Sequence, residues 1–369
     1  MNDRFNTENE DNMEKEKKSK IKKILVNLTI FILLIILTFS LVLKDQDVSQ
    51  IFSVAAKVKK QYILFAVLAM SIYILGEAVN ITRILKELGE KSKLISNIRY
   101  TLIGFFFSAI TPAASGGQPM EIYYMHKDDI SVANSTLALL MQLCSLQIVT
   151  ITVGTISAVI HFEVLKSGLI YLLILGIILN SSALMLLIIA IFSKKLSEGL
   201  IKLAVKLLKF FRIPNVEKKQ EKLEKELESY QTSAKYIKEH KILMLKTVIT
   251  TVIQMIAYYS VPYWIYLAFG LTEYNIFEIL TLQAVLYATV SGIPSPGAVG
   301  VSEGGFLGIF RNVFPETIIS SAMLLTRGAN FYLFIIISAI IVMISTFREK
   351  KIEKKQMQET EVLTEKSEK

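Results

Sequence analysis

The run ILVNLTIFILLIILTFSLVL (24–43) contains no charged side chain. A helix of this length crosses roughly 30 Å, the thickness of the hydrocarbon core of a bilayer. Further apolar runs of similar length follow, 52% of the 369 residues are hydrophobic, and the mean hydropathy is +0.48. The sequence therefore predicts an all-α, polytopic helical membrane protein rather than a pair of soluble domains.

Lysine-rich segments lie beside these apolar runs and give the chain a formal net charge of +9. This arrangement favours cytoplasmic flanks that contact anionic headgroups. No basic stripe is interleaved with aromatic residues, so we expect no nucleic-acid partner. The single cysteine, Cys144, cannot form an intramolecular disulfide, and cysteine usage indicates no redox compartment.

We predict about six full spans, and an even number returns both termini to the cytoplasm. The first run could instead be a secretory signal, but no small-residue cleavage site follows it. The charged residues 1–20 are predicted to form a disordered cytoplasmic tail, and 347–369 a second cytoplasmic tail. The predicted spans are 24–43, 62–81, 134–160, 169–192, 244–269 and 317–346.

Two apolar segments are too short to cross and are broken by glycine and proline. The first runs into TPAASGGQP (111–119), and the second contains GIPSPGAVGVSEGG (292–305). Such breaks are typical of re-entrant hairpins in transporters. We expect the first hairpin to enter from the cytoplasm and the second from outside.

The order of elements repeats after the third span. Three spans per unit is an odd number, so the second copy is predicted to be inverted. The predicted halves are 21–165, with a re-entrant loop at 102–125, and 166–346, with a re-entrant loop at 276–314. The second half also contains a charged segment, 194–241, which is either a solvated cytoplasmic helix or a partner-binding coiled coil.

Irregular backbone at membrane depth is tolerated where it is buried in protein or lines a cavity. Glycine exposes backbone amides, and a helix that begins after such a loop attracts an anion such as a phosphodiester. The alternative is a pair of ordinary exposed turns. The candidate lipid-binding residues of the two loops are Thr111, Ser115, Gly116, Gly117, Gln118, Glu121, Pro296, Gly297, Gly300, Ser302, Gly304 and Gly305.

Charged residues near the loops extend this candidate site. Glu303 is costly near the bilayer core and needs a partner or a cavity. Arg327, in the motif LLTRGANFYL with Asn330, either pairs with Glu303, meets a phosphate or snorkels to the outer interface. Arg311 lies between them in sequence. Arg83 and Glu121 are candidates for the same roles in the cytoplasmic half.

Signals for catalysis, metals or cofactors are missing from the sequence. His126, His161 and His240 lack metal-ligand spacing, and SGGQP lacks the Lys-Ser/Thr pair of a phosphate-binding P-loop. No serine, cysteine or histidine lies in a recognisable nucleophile motif. We therefore expect no catalytic residue, metal or cofactor.

The motifs TPAASGGQPME, PSPGAVGVSEGGF and LLTRGANFYL resemble those of the lysylphosphatidylglycerol synthase transmembrane-region family, the flippase-like membrane domain of multiple peptide resistance factor proteins. The resemblance runs from about residue 24 to 346. Glu121 and Tyr123 depart from it, because a basic residue is expected after the first loop. Full-length members carry a soluble aminoacyl transferase domain, which the short tail after residue 346 is not expected to hold.

The resemblance implies a translocase for aminoacylated phosphatidylglycerol or a related anionic lipid, linked to cationic antimicrobial peptide resistance. It implies a bacterial plasma membrane, with a separate aminoacyl transferase or a second copy of the chain as partner. Two alternatives stay open: a phosphatidylglycerol lysyltransferase that acts with a separate catalytic partner, and a non-transporting membrane scaffold.

Overall fold

The fold is known from a computed structural model, and within the residues it describes every regular element is helical. The predicted span 24–43 and most of both tails lie outside these residues, as does His161. The structure describes Thr29, 53–111, 114–160, 169–193, Lys195, Glu198, Gly199, Lys202, Lys206, 216–293 and 295–348.

Five helices in the described ranges are long and apolar enough to cross a bilayer, so this is a multi-pass membrane protein. The shortest has 24 residues and is about 36 Å long. Many of their leucine and isoleucine side chains are exposed, as expected for surfaces that face lipid. These helices are α1 (Lys60–Glu87), α4 (Val132–Ile160), α5 (Leu169–Phe192), α7 (Lys241–Ala268) and α10 (Ile319–Arg348).

Two pairs of shorter helices form hairpins at the loops singled out in the sequence. They are α2 (Leu94–Ile110) with α3 (Gly117–Lys127), and α8 (Ile276–Val290) with α9 (Val301–Ile309). Arg99 near the start of α2 is ion-paired with Asp128 at the end of α3. The Tyr274 hydroxyl, just before α8, donates to the Asn312 carbonyl after α9, at 3.1 Å. Each hairpin therefore returns to the end at which it began.

One order of helix lengths occurs twice along the described chain, and one pair of equivalent helices runs in opposite directions. Helices of 28, 17, 11 and 29 residues in the first half correspond to helices of 28, 15, 9 and 30 residues in the second. The equivalent helices α1 and α7 are antiparallel, because the Lys59 amide donates to the Ala268 carbonyl while Arg83 donates to the Lys246 carbonyl. This antiparallel packing agrees with the predicted inverted repeat, which stays a prediction.

Helices α1 and α7 pack closely and form a buried polar seam. A Cβ at Gly76 would lie 2.8 Å from Gln254 Cβ, so glycine permits this approach. The Asn80 amide donates to Gln142 and Thr251 at 2.8 and 3.0 Å. Hydrogen bonds across buried polar side chains hold these helices in one register.

The charged helix α6 (Val216–Glu239) packs against the membrane helices through one face. The Tyr230 hydroxyl donates to the Ala190 carbonyl at 2.8 Å, and Ser233 donates to Asn134 at 2.8 Å. Ile237 on the same face is fully buried. The other face carries exposed pairs such as Glu221 with Lys225. The expectation of a simply solvated helix therefore holds for only part of its surface.

Candidate functional site

The second loop is shaped by glycines at positions that require positive φ. Pro296–Ala298 form a 3₁₀ turn, within which Gly297 has a φ of 59°. Gly300 has a φ of 86° and immediately precedes α9. Its amide donates to Glu303 Oε2 at 2.7 Å, which caps the first turn of the helix.

Glu303 and Arg327 form a buried ion pair behind this loop. Arg327 Nε donates to Glu303 Oε1 at 2.7 Å, and the two side chains are 8% and 0% exposed, respectively. The Tyr332 hydroxyl donates to the same oxygen at 3.1 Å. Arg327 Nη2 also donates to the Gly297 carbonyl at 3.1 Å, so the pair fixes the loop to α10. Three roles were predicted for Arg327: pairing with Glu303, contacting a phosphate or snorkelling to the outer interface. The structure shows the ion pair with Glu303, and the buried side chain does not snorkel.

A π-helical turn follows Arg327 and ends at Tyr332, and these two side chains of α10 donate to Glu303. Helix α10 contains one π-helical turn, Gly328–Tyr332, directly after Arg327. π-helical turns inside α-helices occur frequently at functional sites. The guanidinium lies 4.0 Å from the centre of the Phe331 ring, so a cation–π contact adds to the ion pair.

Both loops line a cavity of about 290 Å³, which we call the tip cavity. The first hairpin contributes Ser108 and Ala114, and the second contributes Ser295 and Gly297. Arg327 also reaches the wall of this cavity. The predicted candidates Ser302 and Asn330 line it too. The tips of two antiparallel hairpins therefore meet at one space.

The first loop is held by its own hydroxyl and amide groups. Thr111 Oγ1 donates to the Phe107 carbonyl at 2.5 Å and accepts from the Gly116 amide at 2.9 Å. A Cβ at Gly117 would lie 2.0 Å from Ser108 Oγ, so glycine lets α3 begin against α2. Thr111 and the Gly116 amide therefore hold the described part of the turn together.

A second cavity, of about 410 Å³, lies beside the tip cavity and shares with it residues such as Tyr73, Ser108 and Tyr287. We call it the acidic chamber, because Glu77 and Glu121 line it and none of its described lining residues is basic. The candidates Ser115 and Gln118 line this chamber as well. Glu121 is 2% exposed, and its Oε2 has no hydrogen-bond partner among the described residues.

Ten of the predicted residues line neither cavity. Six of them belong to the two loops or hold them in place: Thr111, Gly116, Gly117, Pro296, Gly300 and Glu303. The remaining four have other surroundings. Arg83 donates to Asn80 and Thr250 at 2.9 and 3.1 Å, so it belongs to the α1–α7 seam and does not meet Glu121. The other three are Gly304, which is exposed, Gly305, which packs against Leu286, and Arg311, which is exposed.

Sequence reasoning missed several residues of the two cavities. Glu77 was visible as a charge that interrupts the second span, a feature that indicates a functional site in a membrane helix. Tyr73, Tyr258 and Tyr287 also line the tip cavity, and Tyr332 holds Glu303. Tyrosines within apolar runs carry no such signal, because most of them serve packing.

Within the described ranges, no three histidine, cysteine or acidic side chains gather as metal ligands. His240 contacts the last turn of α6, because its Nδ1 lies 2.7 Å from the Tyr236 carbonyl oxygen. His126 lies in the last turn of α3.

Comparison with known proteins places this architecture in a family. No curated protein matches the chain significantly. A family model described as "Lysylphosphatidylglycerol synthase TM region" matches residues 24–338, which include both hairpins and both cavities. Because the match covers most of the chain, the protein belongs to the lysylphosphatidylglycerol synthase TM-region family.

Proposed function

We propose that this protein is an integral membrane phospholipid translocase of the lysylphosphatidylglycerol pathway. The observation that carries the proposal is the meeting of two hairpin tips, from antiparallel halves, at one cavity with an arginine in its wall. Transporters built as inverted repeats bind their substrates between broken helices and expose the site alternately to either side. A headgroup held here would cross the bilayer while its acyl chains stay in lipid.

The second loop and Arg327 supply donors for a phosphodiester. Arginine carries five N–H donors. In the described residues, Arg327 Nε donates to Glu303 and Nη2 donates to the Gly297 carbonyl, and the side chain lines the tip cavity. Ser302 and Asn330 add polar groups to the same wall. The ion pair would hold the guanidinium in place before lipid arrives, which lowers the ordering cost of binding.

We further propose that the hairpins are re-entrant and that the lysine-rich end of the molecule faces the cytoplasm of a bacterial plasma membrane. The start of α7 at Lys241, the end of α1 with Lys86 and the charged helix α6 all lie at this end. An excess of lysine marks the cytoplasmic side of membrane proteins. In this topology the first hairpin enters from the cytoplasm, the second enters from outside, and both termini are cytoplasmic.

The lipid that we propose is aminoacylated phosphatidylglycerol or a related anionic lipid, and its movement would support resistance to cationic antimicrobial peptides. Carrying amine-bearing lipid to the outer leaflet lowers the negative surface charge that attracts such peptides. A separate aminoacyl transferase would supply the lipid, and a second copy of the chain is a further candidate partner.

Leaflet-specific chemical labelling of lipid in proteoliposomes tests the proposal. The wild-type chain should accelerate exchange of lysylphosphatidylglycerol between leaflets, and Arg327→Ala should remove most of this acceleration. Arg311→Ala is the matched control, because Arg311 is exposed and lines neither cavity. It should keep wild-type exchange.

Three results would contradict the proposal that this protein is a translocase with its site at the tip cavity. An unchanged leaflet distribution with wild-type protein favours a membrane scaffold. Equal exchange by wild type and Arg327→Ala removes the proposed site. Formation of lysyl lipid from charged transfer RNA and phosphatidylglycerol by the purified chain favours the lysyltransferase.

A further inference from the structure

The acidic chamber contains charge that the phosphate site does not use. Glu303 is neutralised by Arg327 at 2.7 Å, whereas Glu77 and Glu121 form no ion pair or hydrogen bond with a described residue. Buried carboxylates in a membrane protein are costly and are found paired or facing a ligand pathway. A positive charge from outside the described residues would stabilise these two acids in their ionised form.

The hydrogen-bonding groups that remain open in the chamber are mainly acceptors. Three buried oxygen atoms among its walls have no partner in the described residues: Glu121 Oε2, Thr101 Oγ1 and Gln147 Oε1. Glu121 and Thr101 are each 2% exposed. Carboxylate and amide oxygens only accept hydrogen bonds or coordinate cations, and a hydroxyl can do the same. A buried acceptor without a donor lowers stability, and a bound cation would offset that loss.

The backbone holds one of these carboxylates in place. Gly104 on α2 faces Glu121 so closely that a Cβ there would lie 2.1 Å from Glu121 Oε1. Glycine at this position therefore makes the space in which the carboxylate lies. The other carboxylate, Glu77, comes from α1, so two helices position the two acids at one cavity.

We propose that the acidic chamber binds a monovalent cationic group through Glu77, Glu121, Thr101 and Gln147. Two sources share this chemistry: the ammonium of a lipid headgroup and a free alkali-metal ion. Either would place one positive charge between the two carboxylates. Because the site is defined by binding, it stands or falls separately from lipid translocation.

Thermal unfolding of the purified full chain in detergent measures this binding, since a ligand of the folded state raises Tm. One arm titrates NaCl and KCl against tetraethylammonium chloride at constant ionic strength. The other adds dihexanoyl phosphatidylethanolamine or dihexanoyl phosphatidylglycerol in tetraethylammonium chloride. A rise in Tm with Na⁺ or K⁺ identifies a free-ion site. A rise with phosphatidylethanolamine alone identifies a headgroup ammonium.

Variants link the response to the chamber. Glu121→Gln and Glu77→Gln should each raise the half-effective concentration by about 30-fold or more, because each removes one partner of a buried charge contact. Glu273→Gln removes an exposed carboxylate and should respond like wild type. Gly104→Ala retains both acids but displaces Glu121, so it should weaken the response even if Glu121→Gln does not fold.

Two results would overturn the inference. One is a wild-type Tm that responds to none of Na⁺, K⁺ and phosphatidylethanolamine, or that responds equally to phosphatidylethanolamine and phosphatidylglycerol. The other is a response that Glu77→Gln and Gly104→Ala leave unchanged. A cation response without lipid exchange in proteoliposomes would refute the translocase and keep the chamber, whereas exchange without a cation response would do the reverse.

Discussion

Replacing Arg327 by methionine should destabilise the second half of the molecule strongly, because it leaves the buried Glu303 without a cation. Glu303 is fully buried, and among the described residues its charge would retain the Gly300 amide at 2.7 Å and the Tyr332 hydroxyl at 3.1 Å. Removing one partner of a buried ion pair costs about 3–5 kcal/mol, because the other charge remains buried and uncompensated. We expect Arg327→Met to lose stability in this range.

The double variant Glu303→Gln/Arg327→Met separates the pair from the individual side chains. Uncharged replacement of a whole buried pair is often close to neutral. The double variant should therefore be more stable than Arg327→Met alone, with a coupling free energy of about 1–3 kcal/mol. Glu303→Gln alone should cost less than Arg327→Met, since Arg327 keeps the Gly297 carbonyl and the Phe331 ring.

Unfolding in mixed micelles, titrated with dodecyl sulfate and followed by circular dichroism, gives the four free energies of the cycle. Arg311→Met, at an exposed arginine, serves as the control and should change the free energy of unfolding by about 0.5 kcal/mol or less. Additive losses in the double variant would refute the reasoning, because they would mean that Glu303 does not depend on Arg327.

The remaining predictions concern the second loop and the charged helix, each read out by the same unfolding titration. Gly297→Ala should lower the free energy of unfolding by at least about 1–3 kcal/mol, because the backbone has a positive φ there and the added Cβ would lie 2.2 Å from the Phe331 ring. Gly304→Ala is the control and should lower it little, because its Cβ would have no neighbour within 4 Å. Equal losses in the two variants would contradict the role assigned to the loop. Tyr230→Phe removes the hydrogen bond to the Ala190 carbonyl and should lower the free energy of unfolding by about 1 kcal/mol while leaving lipid exchange unchanged. An unchanged free energy of unfolding would mean that this hydrogen bond does not hold α6 against the membrane helices.

The spans follow from the sequence because hydropathy measures the property that the bilayer selects. Four of the predicted long runs correspond to described helices whose ends lie within about three residues of the predicted ends, and 62–81 lies inside α1. The start of α2 at Leu94, rather than near residue 102, does not follow from apolarity. Its first turns contain Asn97 and Arg99, which bond to Thr82 and Asp128. Long-range partners of this kind are not encoded in a local run of residues.

The site could be predicted only in part, for the same reason. Glycine, proline and a lone carboxylate identified the second loop, and the suggestion that Arg327 pairs with Glu303 agrees with the structure. Arg83 and Glu121 were predicted to play roles in the cytoplasmic half comparable to those of Arg327 and Glu303. In the structure, Arg83 is held by the α1–α7 seam and Glu121 lies in the acidic chamber. Which charges meet depends on helix packing, and hydropathy does not report helix rotation.

The claim that the two hairpin tips hold a phospholipid headgroup is tested most directly by photo-crosslinking. A phospholipid with a photoreactive headgroup, incorporated into vesicles with the wild-type chain, should label peptides from 108–118 and 291–302, which contain lining residues of the two cavities. The same lipid with the reactive group at the end of an acyl chain should label lipid-facing residues of α5 such as Tyr171 and Met185, which are 75% and 65% exposed. Headgroup labelling confined to such exposed surfaces, with none at the hairpin tips, would contradict the account.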